Sequence, residues 1–157
     1  DAANLYYPDL KGEKRLYYQA NTGHDISPDG IGAIAGFFDA LVSGTPYPEI
    51  TWTPVENEEI TVSWEQEGGK ALLWQASSLN RDFREATWQS SPLEGKNTVT
   101  VRAPSAKTGW MAWYVEVQFP VSGGMPMGVT TQMHVTPETY PHAAQKAAAA
   151  DLVGQCQ

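Results

Sequence analysis

The chain has 157 residues, of which 41% are hydrophobic and 18% are charged, and its formal net charge is −8. A chain of this length and apolar content can bury a core, which excludes an intrinsically disordered protein. The acidic balance argues against nucleic acid and against an anionic membrane as partners, because both need clustered lysine and arginine. The single cysteine, Cys156, excludes an intramolecular disulfide bond and a thiolate zinc site.

The first 45 residues carry the signals of a strand and a helix. Residues 1–12 predict a short helix and a loop. Residues 14–20 are rich in aromatic side chains and lack polar alternation, which predicts a strand buried on both faces, as in a parallel sheet. Ser27 is suited to cap a helix that begins at Pro28, and Gly44 is suited to end it. An apolar stripe runs along this helix and consists of Ile31, Ile34, Ala35, Phe38, Leu41 and Val42.

Three glycines, Gly30, Gly32 and Gly36, lie within the predicted helix. Each weakens a helix interior by about 1 kcal/mol relative to alanine. They either permit close packing on a sheet or are tolerated in a weak helix, and the sequence leaves both readings open. The two prolines of the segment 45–48 forbid a continuing helix, so we place a domain boundary between residues 45 and 46.

From Ile50 onward the hydrophobic period changes to two, which is typical of strands with one buried face. Turn signals such as Gly68-Gly69 and Gly123-Gly124 separate the apolar runs. Six or seven short strands joined by such turns predict an immunoglobulin-like or fibronectin type III-like β-sandwich over residues 46–141. The clearest strands are predicted at residues 50–52, 60–64, 70–77, 98–101, 110–119 and 129–135. Residues 142–157 form an alanine-rich tail, whose predicted helix is marginal by itself.

His24 lies on the turn between the predicted strand and the predicted helix. Reactive side chains commonly sit on loops that a rigid scaffold positions, and this arrangement places an imidazole at the rim of a parallel sheet. The functional interpretation is a general base that activates a nucleophile and that a carboxylate orients. The alternative is a surface histidine that only forms local hydrogen bonds.

The other chemical groups are weaker candidates. His134 alternates with apolar neighbours and is expected to be exposed, while His142 and Cys156 lie in or near the tail. Histidines so far apart do not form a metal-ligand set, and no glycine-rich phosphate loop is present, so we expect neither a metal nor a cofactor. The sequence contains no Gly-x-Ser-x-Gly turn. We therefore expect this chain to lack the nucleophile of a hydrolase.

A second polar group follows the strand predicted at residues 70–77. Arg81, Asp82 and Arg84 surround Phe83, which suggests a polar anchor at a domain interface or for a ligand. The alternative is a strand edge with local pairing between arginine and aspartate, which contributes little to stability.

Taken together, several segments resemble the PhoPQ-activated pathogenicity-related protein family. They occur in the family's order and spacing between about Asn4 and Pro141, and they include KGEKRLYY (11–18), NTGH (21–24), LWQA (73–76), NRDFR (80–84) and GWMAWYVE (109–116). The resemblance implies an α/β-hydrolase-like fold followed by a sandwich-like domain. By that resemblance, residues 14–20 are the last core strand, His24 is the catalytic base and residues 28–42 form the last helix.

The resemblance also implies where the remaining parts of the site lie. The nucleophile, most of the sheet and the catalytic acid would lie upstream of Asp1, with Asp1 itself and Asp25 as weak candidates for the acid. Members of the family are linked to bacterial envelope stress and virulence, so we expect a periplasmic or secreted location.

The sequence therefore predicts three regions: the end of a hydrolase-like domain (1–45), a β-sandwich (46–141) and a tail (142–157). In the intact protein we expect hydrolysis of ester or peptide bonds, with the upstream portion of the same polypeptide as the partner. The 157-residue chain alone is expected to be inactive.

Two other classes of function stay open at this point. In a non-catalytic module, the sandwich would recognise a glycan or a protein through exposed aromatic side chains, whereas burial of Trp74, Trp110 and Trp113 would weaken this reading. In an accessory domain, a bare apolar patch would cover the hydrolase or drive self-association. The residues expected to line that patch are Leu16, Tyr18, Ile34 and Phe38.

Overall fold

The computed structural model describes residues 2–53, 58–120 and 126–141. These ranges contain the helices α1 (Ala3–Tyr6) and α2 (Pro28–Ser43), the 3-10 helix Tyr7–Asp9, and eight strands, β1 (Ile50–Trp52), β2 (Glu59–Trp64), β3 (Lys70–Ser78), β4 (Gln89–Leu93), β5 (Thr98–Arg102), β6 (Trp110–Phe119), β7 (Met127–Thr130) and β8 (His134–Thr136). Asp1, the Gly123-Gly124 turn, His142, the helix predicted in the tail and Cys156 lie outside the described residues.

The strands form two antiparallel sheets. One has the order β1-β2-β5, and the other has the order β4-β3-β6-β7, with β8 also paired to β6. The prediction of a mainly β, sandwich-like chain is confirmed. The more specific assignment to the immunoglobulin or fibronectin type III fold stays a prediction, as does the domain boundary at residues 45 and 46.

The core lies between the inner faces of the two sheets. Period-two alternation places the apolar side chains of β2 and β5 opposite those of β6. Val115, Val117 and Phe119 are completely buried there, and Trp113 is only 1% exposed. The cluster consists of Ile50, Ile60, Val62, Trp64, Ala71, Val99, Val101, Trp113, Val115, Val117, Phe119 and Val129.

Strand β4 was missed by sequence analysis. Its residues, Gln-Ser-Ser-Pro-Leu, have low strand propensity, and four of the five are exposed. The strand lies at the edge of the five-stranded sheet, where Pro92 is paired opposite Leu72. Proline has no backbone N–H to donate. It is tolerated in an edge strand because the N–H side of that residue can face solvent.

The single last strand predicted at residues 129–135 is wrong, because a one-residue bulge divides it. Thr130 pairs with Glu116, so an unbroken ladder would place Val135 opposite Met111, but Val135 lies opposite Ala112. One extra residue therefore separates β7 from β8 and inverts which side chains face the core.

This inversion also overturns the prediction that His134 is exposed. His134 is paired with Trp113 on the core side, and the two rings stack with centroids 4.6 Å apart. Burial lowers the pKa of the His134 imidazole, and the carboxylate of Glu138 acts in the opposite direction. His134 is thus a packing residue at the end of the core.

The strand predicted at residues 14–20 does not form in this structure. Among the described residues, one backbone hydrogen bond, from the Thr130 N–H to the Leu16 carbonyl (2.8 Å), ties this segment to a strand. A single bond does not make a ladder, so the segment is extended but unpaired along its other edge. It lies on the outer face of the five-stranded sheet, where Tyr18 contacts Tyr114.

Helix α2 has the predicted ends. The Ser27 hydroxyl accepts a hydrogen bond from the Gly30 N–H (3.1 Å), and Gly44 ends the helix with a φ of 68°. Two of the three glycines permit close packing: a Cβ at Gly36 would collide with the sulfur of Met127, and one at Gly30 would collide with Oε1 of Gln19. The helix therefore packs on β7 at Gly36 and on the preceding segment at Gly30.

Candidate active site

His24 lies in the loop between the extended segment 14–19 and α2, and its residue is exposed. The described residues include no hydrogen-bond or ion-pair partner for its side chain. Two hydroxyls lie close to His24 in sequence, and both are engaged elsewhere: Thr22 donates to the Gln19 carbonyl (3.4 Å), and Ser27 donates to the Gln19 side chain and accepts from the Gly30 N–H in capping the helix. No nucleophile–base pair is assembled around His24 in the part of the chain that the structure describes, and the catalytic assignment of His24 stays a prediction.

The two ends of the His24 loop are joined by Gln19 and Ser27. Oε1 of Gln19 accepts hydrogen bonds from both the backbone N–H and the hydroxyl of Ser27, each at 2.8 Å. The same oxygen fills the space above Gly30, where a Cβ would collide with it. The loop is therefore closed at the point where the helix begins.

The loop is also attached to the β-sandwich through Asn21. Its side-chain amide donates to the carbonyl of Trp88 (2.9 Å) and accepts from the N–H of the same residue (2.8 Å). Asn21 has a φ of 55°, a left-handed conformation that asparagine tolerates better than most residues. We call this pair of bonds the Asn21 clamp.

An aromatic cluster lies beneath the clamp, on the outer face of the five-stranded sheet. The buried Tyr114 ring contacts the rings of Tyr18 (5.2 Å), Trp88 (5.3 Å) and Trp74 (6.3 Å). Tyr18 precedes the His24 loop, and Trp88 is hydrogen-bonded to Asn21 of that loop. The rings of both residues pack against the same ring, that of Tyr114.

A carboxyl group is buried next to this cluster. Glu116 accepts hydrogen bonds from the indole N–H of Trp74 (2.6 Å) and from the amide of Gln118 (3.1 Å). Burial raises the pKa of Glu116 above its ordinary value, and these two hydrogen bonds partly offset the effect. Burial, together with the neighbouring Glu116 carboxyl, also raises the pKa of the Tyr17 hydroxyl. The Glu116 carboxyl thus lies in an environment that disfavours its ionised form.

The apolar stripe of α2 faces away from the sheet. Val42 is 86% exposed and Phe38 is 62% exposed, and Ile31, Ile34 and Leu41 are also exposed. A cleft of about 580 Å³ runs between this helix and the extended segment, lined mainly by Tyr17, Ile26, Ile34, Phe37, Phe38 and Tyr47. Leu16 and Tyr18, which were expected in the bare patch, are half-buried because their segment lies on the sandwich.

Arg81, Asp82 and Arg84 lie in the loop between β3 and β4, not on a strand edge. The guanidinium of Arg84 binds the Asp82 carboxylate through both of its oxygens. These hydrogen bonds lower the pKa of Asp82 to about 2. Arg81 stacks over the ring of Tyr140, with its guanidinium carbon 3.9 Å from the ring centroid. Local pairing therefore accounts for the contacts of Arg84, and the binding role of the three residues stays a prediction.

The tryptophans do not form an exposed platform. All six lie in the described ranges and all are buried or half-buried. Trp113 is in the core, Trp74 binds Glu116, and Trp110 donates to the carbonyl of Thr139 (2.8 Å). This burial weakens the glycan-platform interpretation.

Neither a membrane-spanning helix nor a metal-binding cluster is found among residues 2–53, 58–120 and 126–141. No helix there has the length and hydropathy needed to cross a bilayer. In the part of the chain that the structure describes, no three histidine, cysteine, aspartate or glutamate side chains converge in a way that could hold a metal ion.

Sequence reasoning missed Asn21, Gln19 and Glu116. Asn21 could have been suspected from asparagine's preference for turns, but its partner is 67 residues away. Glu116 sits between apolar neighbours of β6 on the face that alternation predicts to be solvent-exposed.

Comparison with protein families gives one match. The model of the family described as PhoPQ-activated pathogenicity-related protein matches residues 1–84, which is more than half of the chain. The match includes the His24 loop, α2 and strands β1 to β3, and it ends at Arg84. Comparisons with curated proteins and with solved structures found no match.

Proposed function

Because this chain belongs to the PhoPQ-activated pathogenicity-related protein family, we propose that it is the C-terminal part of an α/β-hydrolase-like protein whose catalytic base is His24. The observation that carries the proposal is the pairing of an exposed loop histidine with a helix whose apolar stripe is bare. The His24 side chain has no partner among the described residues, and the helix that follows it exposes an apolar face. This is the arrangement expected of half an active site.

In this proposal the substrate is an ester or a peptide, and a serine supplied by the upstream portion attacks its carbonyl carbon. His24 accepts the serine proton as the new C–O bond forms, and then donates that proton to the leaving alcohol or amine. Water, deprotonated by the same imidazole, hydrolyses the acyl-enzyme and restores the serine. A carboxylate from the upstream portion orients the imidazole.

The surface that would receive the upstream portion is the apolar face of α2 together with the adjacent cleft. The extended segment 14–19 is hydrogen-bonded to the sandwich through Leu16. Its other edge carries backbone groups that a neighbouring strand of the hydrolase sheet would pair. We also propose a periplasmic or secreted location, which fractionation of cells that produce the intact protein would test.

The test is hydrolysis of an activated ester by the intact protein. We expect His24→Ala to lower kcat by about 10³-fold or more, since the base acts only in the transition state. Lys96→Ala, an exposed change in the turn after β4, is the control and should leave kcat unchanged. A serine-reactive fluorophosphonate should label the intact protein and not the 157-residue chain. Unchanged turnover in His24→Ala would overturn the proposal.

The second candidate function is a non-catalytic accessory domain, which the exposed stripe of α2 favours equally well. In that case the stripe binds a partner protein or a second copy of the chain, and the intact protein shows no turnover and no labelling. Replacing Ile34 and Phe38 with glutamate would then abolish assembly, measured by analytical ultracentrifugation. Under the hydrolase proposal, the same double change separates the two portions and abolishes activity.

A further inference from the structure

We propose that the β-sandwich positions the His24 loop through Asn21, so that Asn21 is a positioning residue for the imidazole. This inference rests on the proposed function, because it assumes that the orientation of His24 matters for catalysis. It assigns the sandwich a part in the active site beyond that of a separate module.

The geometry of the clamp supports this role. The Asn21 amide acts as a substitute peptide group: it donates to and accepts from the backbone of one residue, Trp88. Two hydrogen bonds to one partner fix direction as well as distance, which a single bond does not. Asn21 is three positions before His24, so the clamp acts within the loop itself.

The receiving side of the clamp is firmly held. Trp88 lies immediately before β4, and its ring packs between Phe83 (6.4 Å) and the buried Tyr114 (5.3 Å). Tyr114 belongs to β6, the strand at the centre of the sandwich core. The Asn21 clamp therefore fixes the position of the His24 loop relative to the core of the sandwich.

The other attachment of the loop fixes its position relative to the sandwich only indirectly. Gln19 and Ser27 tie the loop to the start of α2, and α2 belongs to the same N-terminal segment. Since α2 packs on Met127 of β7 at Gly36, this attachment reaches the sheet only through the helix, whereas the Asn21 clamp joins the loop to the sandwich directly. Among the hydrogen bonds of this loop within residues 2–53, 58–120 and 126–141, those of the Asn21 clamp reach a distant part of the chain.

The first test is the mobility of the loop in the isotopically labelled 157-residue chain. Asn21→Gly removes both clamp bonds and keeps the positive φ without strain. We expect the backbone order parameters of residues 22–25 to fall from about 0.85 to below about 0.6, and the His24 ring signals to shift toward those of a free histidine.

The matched control is Asn97→Ala. The Asn97 amide also bonds to backbone carbonyls, those of Trp64 (3.1 Å) and Glu65 (3.4 Å), but at the far end of the other sheet. It should leave the His24 loop rigid. If Asn21→Gly does not fold, Asn21→Asp serves instead, because it keeps the size and the acceptor but replaces the donor. Unchanged order parameters in the folded variant would overturn the proposal.

The second test is kinetic and uses the intact protein. We expect Asn21→Gly to lower kcat about 10²-fold with KM unchanged, because the binding surface is intact and only the base is misplaced. A normal kcat with a mobile loop would overturn the positioning role while leaving the base assignment standing. Full activity of His24→Ala would instead overturn the proposed function, so the two failures are distinguishable.

Discussion

Strand β6 and helix α2 carry equally clear amphipathic patterns, yet their apolar faces meet opposite fates. The core side of β6 is buried to 1% exposure or less at Trp113, Val115, Val117 and Phe119, whereas the stripe of α2 is about half exposed or more. Periodicity therefore identifies which face of an element is apolar, but it does not say what covers that face. In β6 the cover is the opposite sheet, and in α2 no described residue supplies one.

The two faces of β6 differ in a second way. The inner face is apolar throughout, but the outer face buries Tyr114 and Glu116 under the N-terminal segment. A polar group is thus enclosed where the segment 14–19 and α2 lie on the sheet. The segment 14–19, which covers this face, leads directly into the loop that carries His24.

The largest expected difference between the two regions is the cost of deleting a phenyl ring. Phe119→Ala should lower the free energy of unfolding by about 3–5 kcal/mol, because it leaves a cavity in the core. Phe38→Ala removes the same group from an exposed site and should change stability by less than about 0.5 kcal/mol. Denaturant titration of both variants measures this, and equal losses would contradict the exposure of α2.

The bulge between β7 and β8 allows a comparison of adjacent threonines. The Thr131 hydroxyl accepts from the buried Val115 N–H (3.1 Å), so Thr131→Val should cost about 1–3 kcal/mol. The Thr130 hydroxyl is buried and has no partner among the described residues, so Thr130→Val should be neutral or slightly stabilising. If the two variants unfold at the same denaturant concentration, the bulge is not held by Thr131.

Glu116 should make stability depend on pH in the direction opposite to that of an ion-paired carboxylate. Its pKa is raised in the folded state, so the unfolded state releases the proton more readily and stability falls as pH rises from about 4.3 through the folded value. Each unit of elevation corresponds to about 1.4 kcal/mol. Glu116→Gln should remove this decline, which thermal unfolding between pH 4 and pH 8 would show. Glu94→Gln, at an exposed site, should follow the wild-type curve.

The smallest effect is expected at Arg84. Its pair with Asp82 lies at the surface, with the Arg84 side chain 85% exposed, so Arg84→Ala should leave the unfolding transition nearly unchanged. The pKa of Asp82 should rise from about 2 toward the ordinary aspartate range, since its hydrogen-bond donors are lost. A carboxyl NMR titration measures this rise, with Arg102→Ala as the control. A large loss of stability would indicate that this loop supports more than its own geometry.

Local signals in the sequence determined most elements correctly. Ser27, Pro28 and Gly44 define α2 because capping and the left-handed end depend on residues a few positions apart. Alternation identified β2, β3, β5 and β6 within a residue or two, because side chains of a strand point to opposite faces by covalent geometry alone. The family was also recognisable from its motifs, and the family match over residues 1–84 confirms it.

Tertiary structure decided the rest, because the deciding contacts join residues that are distant in sequence. The bulge that turns His134 onto Trp113 depends on the register against β6, and β4 forms only because β3 offers it an edge. The segment 14–20 has the composition of a strand, but a strand exists only when a neighbour completes its ladder. For the same reason, the sequence could single out His24 as a candidate base, whereas the attachment of its loop to Trp88 is a property of the fold.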